Sequence, residues 1–135
     1  MAVKFVDANG HEVPDLNGPS LAAAATGTTT LGTVSPLASG AGVGSSVTGV
    51  VANDRRGSFG ITSAGTPAAG VIANIIFANA YAAAPAAVLV NIYDVTDTTA
   101  PVACDSAAVT AAGFSIISAA LTTAKNYVVN YVVLV

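Results

Sequence analysis

Three stretches of this sequence are apolar on both sides of a two-residue repeat, and any fold must accommodate them. In Val71–Phe77 one side carries Val71, Ala73, Ile75 and Phe77, and the other Ile72, Asn74 and Ile76. In Ala86–Tyr93 the two sides are Ala86, Val88, Val90, Ile92 and Ala87, Leu89, Asn91, Tyr93. In Tyr127–Val135 they are Tyr127, Val129, Tyr131, Val133, Val135 and Val128, Asn130, Val132, Leu134. The residues are largely β-branched or aromatic and the runs are short, which suits strands. An antiparallel sheet with one wet face alternates apolar with polar. Here each strand has one wholly apolar face and one apolar face broken by a single Asn. The first suits the domain's own core and the second a sheet covered by another chain. The pattern therefore predicts Asn74, Asn91 and Asn130 on one common sheet face, with Leu89 and Tyr93 beside them, at a subunit interface. The competing reading is ordinary exposed Asn residues beside surface aliphatics, which are common.

The neighbouring sequence adds shorter strands at regular spacing. Val47–Val51 is mostly β-branched, Asn53–Gly57 reads as a turn, and Ser58–Ser63 alternates with Phe59 and Ile61 on one side. Ala64–Pro67 is a turn, Asp94–Pro101 a polar loop, Val102–Val109 a weak strand and Phe114–Ser118 a further strand. Short strands separated by Gly, Pro and Thr turns predict an all-β fold: a small antiparallel β-sandwich or barrel-like domain spanning residues 47–135.

Residues 1–46 differ in kind. Val3–Lys4–Phe5, Asn9–Gly10 and His11–Glu12–Val13 carry a hairpin pattern, the Asn-Gly pair suiting a type I′ turn. From Leu16 to Ser46 the sequence is low-complexity Ala, Gly, Thr and Ser, in which Ser20 suits the cap of one short helical turn. Two readings stand for this stretch, a flexible linker and an extended arm that orders on a partner. The spaced aliphatics Leu21, Leu31, Val34, Leu37 and Val43 favour the arm.

Composition narrows what the domain does. Charged residues are 8% of the 135 and apolar residues 53%, against roughly 25% charged in an average globular protein. Mean hydropathy is +0.71, yet no run reaches the roughly 20 uninterrupted apolar residues of a spanning helix. Asn74, Asn79 and Pro85 break the longest, so no membrane segment is expected. Met1–Asp7 lacks the apolar core of a secretory signal, so synthesis and use in the cytoplasm are expected. An apolar, charge-poor chain hides its surface by oligomerising or by docking on a larger body.

Chemistry is harder to place. Four basic residues at a net charge of −3 make no nucleic-acid footprint. The lone Cys104 excludes an internal disulfide and reads as a small buried hydrophobe. His11, the sole histidine, has no nucleophile motif beside it. Asp94, Asp97 and Asp105 offer the oxygens a Ca²⁺ ion takes, but not at EF-hand spacing, so they read as a solvated loop. Gly40–Gly44 lacks the Lys and the helix of a phosphate loop and reads as flexible chain. Asp54–Arg55–Arg56 reads as a solvated turn rather than an ion pair. No catalytic constellation, metal site or cofactor is expected.

Two segments, "GITSAGTPAAGVIANIIFANAYAAAP" (Gly60–Pro85) and "GFSIISAALTTAKNYVVNYVV" (Gly113–Val133), resemble a small β-domain of tailed-bacteriophage structural proteins. It is similar to the C-terminal domain of head-fibre, capsid-decoration and some tail-fibre-associated proteins. The shared order is Thr-Pro-Ala-Ala-Gly, an aliphatic strand ending in Phe-Ala, Ala-Tyr-x-x-x-Pro, then Gly-Phe and Thr-Ala-x-x-Tyr-x-x-x-Tyr. Residues 1–46 lie outside the likeness. The resemblance implies a virion protein on the outer capsid surface, a homotrimer whose partners are copies of itself and the major capsid protein. Joined to the arm reading, it implies shell contact through Phe5, Leu21, Leu31 and Leu37. It also implies that a chain lacking residues 1–46 folds but no longer attaches. Two rival readings are a tail-fibre or tail-tip component that recognises a host surface, and a carbohydrate-binding sandwich. The absence of Trp counts against the latter.

Overall fold

The structure, a computed structural model, describes residues 33–36, 40–97 and 100–135. Nine strands are found among them: β1 (Thr33–Pro36), β2 (Ser46–Ala52), β3 (Arg56–Thr62), β4 (Gly70–Ile76), β5 (Ala87–Asp94), β6 (Pro101–Val102), β7 (Cys104–Thr110), β8 (Gly113–Ser118) and β9 (Asn126–Leu134). They form two sheets, one of four strands in the order β1-β4-β8-β7 and one of five in the order β2-β3-β9-β5-β6. All pairings are antiparallel. The all-β sandwich expected from the sequence is the fold. None of the described residues is helical, so none builds a helix long and apolar enough to cross a membrane.

The core lies between the sheets. Strand β9 shows why its sequence folds this way: Tyr127, Val129, Tyr131 and Val133 are buried, while Val132 and Leu134 between them are exposed. Strand β5 repeats the pattern, with Val88 and Ile92 buried and Leu89, Asn91 and Tyr93 exposed. The opposite sheet contributes Ile72, Ala73, Ile75, Phe114 and Ile116. With no Trp in the chain, the bulk comes from a run of four rings. Phe77 meets Tyr81 edge-on with centroids 4.9 Å apart. Phe114 lies 5.8 Å from Phe77 and meets Tyr131 edge-on at 5.3 Å. Edge-to-face rings add about 1 kcal/mol beyond their area. Gly57 makes room for the last ring, since a Cβ there would sit 2.5 Å from the Tyr131 ring and 2.4 Å from the Ala52 methyl.

Strand β4 departs from the expected alternation. Its register with β8 shifts between Val71 and Ala73, so Ile72 and Ala73 are both buried. A bulge inserts one residue and flips parity upstream of itself. Val71, expected on the core face, therefore turns outward beside Ile117, and Ile72 takes its place.

The division at residue 46 is also corrected. β1 pairs with β4 through Thr33↔Ile76 to Pro36↔Ala73, and Ala41 is fully buried in the core. The Gly40–Gly44 stretch, expected as flexible chain, is a packed turn. Ala68 N donates to Gly40 O at 3.1 Å and Ser45 N to Gly42 O at 3.2 Å. Gly42 has φ +92°, and a Cβ on it would lie 1.8 Å from Ala64 O. The expected hairpin, helical turn and arm residues Phe5, Leu21, Leu31 and Leu37 fall outside the described residues.

Candidate interaction surface

Antiparallel register fixes which side chains meet on the outer face of the five-stranded sheet. One row runs Val51, Ser58, Asn130, Asn91; the next Thr48, Gly60, Val128, Tyr93, Pro101; a third Arg56, Val132, Leu89; and a fourth Leu134, Ala87. Leu89 is 59% exposed, and Val132, Leu134 and Tyr93 are exposed beside it. Arg56, at one margin, is the charged side chain in these rows. A shallow depression of about 140 Å³ at the centre is lined by Leu89, Val90, Asn91, Asn130, Tyr131 and Val132.

Four of the five expected interface residues are thus brought together: Asn91, Asn130, Leu89 and Tyr93. Asn91 stands directly opposite Asn130 across β5 and β9, and neither side-chain amide has a hydrogen-bond partner among the described residues. Asn74 is the exception. It sits on β4, in the other sheet, where its Oδ1 accepts a bond from Ser115 Oγ at 2.8 Å. Alternation sets the face of a strand but not the sheet the strand joins, so the common face expected for all three Asn residues does not form.

A second cluster was read in the sequence only as a solvated turn. The turn between β2 and β3 is anchored instead. Asn53 Oδ1 accepts the backbone N–H of Arg55 at 2.8 Å and of Arg56 at 2.9 Å. Asp54 is buried, and its carboxylate accepts from Ala78 N at 2.7 Å and Asn79 N at 3.0 Å. Tyr81 Oη donates to Asp54 O at 2.7 Å, and Tyr131 Oη to Asn53 O at 2.6 Å. Burial lifts the phenol of Tyr131 above the ordinary tyrosine range, with the nearby Asp54 carboxylate adding to it. Burial likewise raises Tyr81, which the charge of Arg55 partly offsets. These bonds tie two loops of opposite sheets together and leave no free acid–base pair.

The remaining polar candidates are dispersed. Asp97 pairs with Lys125, Asp94 accepts from Thr96 N at 2.8 Å, and Asp105 from Ser106 N at 2.7 Å. No group of three His, Cys, Asp or Glu that could hold a metal occurs among the described residues. Cys104 is half-buried rather than buried. Its thiol donates to Val90 O at 3.6 Å, and burial raises its pKa. It lines a cleft of about 300 Å³ with Gly70, Ala103, Asp105, Ile117, Ser118 and Ala119. No protein-family model, curated protein or solved structure matches the chain.

Proposed function

We propose that this chain is a structural virion protein, a capsid-decoration protein of the head-fibre kind, which acts by assembling with copies of itself and with the major capsid protein on the outside of a phage shell. The observation that carries the assembly part is the outer face of the five-stranded sheet. It combines exposed Leu89, Tyr93, Val132 and Leu134 with two unpartnered amides and a single marginal charge. Contiguous exposed apolar surface of this kind is where soluble domains meet partners. Support for the phage setting is the resemblance of Gly60–Pro85 and Gly113–Val133. Its ring-bearing positions Phe77, Phe114, Tyr127 and Tyr131 are core positions here and Tyr81 packs against them, so the likeness speaks for a shared fold, and the role rests on analogy with that fold. The work is mechanical: contacts spread over several chains stabilise the shell only while they are made.

The test is a cryo-EM map of virions from the phage encoding this chain. Density fitting the nine-stranded sandwich on the outer capsid surface is the expected result. The same density at the tail, or none on the particle, overturns the proposal.

A further inference from the structure

We infer that a second copy of this chain docks on the outer face of the five-stranded sheet, face to face, about a two-fold axis close to the Asn91–Asn130 pair. This deepens the assembly reading above, whose interaction surface it shares, by naming the partner and a two-fold symmetry in place of the three-fold assembly that the resemblance implies.

The first ground is that the sheet edges are closed to strand addition. β1 is four residues long and ends in Pro36, and β6 is two residues long and begins with Pro101. β2 is bulged between Thr48 and Val51, with Gly49 at φ +57°, and β7 between Ala107 and Thr110, with Ala108 at φ +49°. Short edges, edge prolines and bulges are the devices that block edge-to-edge pairing. The stretch of β5 beyond its pairing with β6 is closed too, because Ser106 Oγ donates to Val88 O at 3.0 Å and the Cys104 thiol reaches Val90 O. A partner must therefore use a face.

The two outer faces are unequal. On the four-stranded sheet Asn74 Oδ1 is taken up by Ser115, Asp105 brings a charge, and Val71 and Ile117 are half-buried beside the exposed Ile76. The five-stranded face keeps the Asn91 and Asn130 amides without a protein partner among the described residues and exposes Leu89, Val132 and Leu134.

The chemistry of that face selects a copy of itself. A side-chain amide both donates and accepts, so an Asn pair is complemented by the same pair turned through 180°. A carboxylate or an ammonium has no such self-match. Among the described residues, a strongly acidic partner would find Arg56 at the margin of this face and a basic partner no carboxylate on it, since Asp54, Asp94, Asp97 and Asp105 lie off it. Size is of the right order. Four strands about 4.8 Å apart, each of seven residues at about 3.3 Å, give roughly 440 Å² of flat footprint. Two such footprints come to roughly 900 Å², close to the roughly 1,000 Å² of a specific interface. Two sheets pack about 10 Å apart, and the dent at Asn91 and Asn130 admits a side chain of the opposing copy. An isologous contact of this kind closes at two copies, whereas a three-fold ring needs two different surfaces on each chain.

The experiment is sedimentation equilibrium of the full chain from 1 to 100 μM. A mass twice the 13.1 kDa of one chain is expected. Leu89→Arg should weaken association at least tenfold with the melting temperature retained, and Ile76→Arg on the other sheet should leave it unchanged. In a Cys104→Ser background, Asn91→Cys should cross-link to itself on oxidation and Ile76→Cys should not. A monomer, a three-chain mass, or indifference to Leu89→Arg overturns the inference. A chain that is monomeric in solution yet coats the shell sinks this inference and leaves the decoration role standing. A dimer that never appears on the particle does the reverse.

Discussion

Tyr131 occupies both the aromatic run of the core and the bond network of the β2–β3 turn, and its phenol is held neutral by burial. A phenol whose folded pKa exceeds its unfolded value of about 10 contributes in full below pH ~10, and the contribution is lost as pH rises from there through the folded value. Stability should therefore be flat through neutral pH and fall above about pH 10. Absorbance at 295 nm should show Tyr131 ionising together with unfolding. Tyr131→Phe should abolish that late step and cost about 1 kcal/mol at pH 7 in urea titrations. Asp54→Ala should cost more, about 3 kcal/mol, because it strands the amides of Ala78 and Asn79 against a buried carboxylate's former place. A cost under about 1 kcal/mol for Asp54→Ala would show that water replaces the carboxylate. Neither role was legible in the sequence. Asp54 sits in a run of charged residues that suits any exposed turn, and only the fold brings the loop at residues 78–81 beneath it.

Elements were legible in proportion to the strength of their alternation. β5 and β9 have β-branched residues at period two, and both lie where the pattern puts them with the expected faces inward. β4 was found but misread upstream of Ala73, because apolar residues on both sides of a bulge leave no trace of the parity change. β1 was invisible: four residues in an Ala/Gly/Ser tract carry no period, and the pairing that orders them comes from β4, some forty residues on. The consequence for truncation is specific. The informative comparison is between a chain lacking residues 1–32 and one lacking residues 1–46. Removing residues 1–46 strips β1, buried Ala41 and the turn that holds Ala64 and Ala68. It should lower stability by about 3 kcal/mol or more. Equal melting temperatures for the two truncations would place the boundary at 46 after all.

At the scale of the whole molecule, the sequence pattern gave away the sandwich and the apolar outer face, and withheld which strands share a sheet. Asn91 and Asn130 meet because β5 and β9 are neighbours; Asn74 has the same local surroundings in sequence and lies on the far side. That assignment depends on how the chain travels. It crosses from the four-stranded sheet to the five-stranded one, back to β4, over to β5 and β6, back for β7 and β8, and over again for β9. A topology so dominated by non-local pairing should refold in milliseconds to seconds rather than microseconds, which stopped-flow tyrosine fluorescence would measure.

β9 is the middle strand of the five, flanked by β3 and β5, and a ribosome makes it after both. Until it is released, β3 and β5 have no common neighbour, their backbones stay half unpaired, and the surface that would receive another chain does not exist. On the reading that this face receives another copy, newly made molecules would be kept from premature contact by the calendar of their own synthesis, and a chain broken off before Asn126 would have no finished face with which to join, and so spoil, an assembly of intact ones.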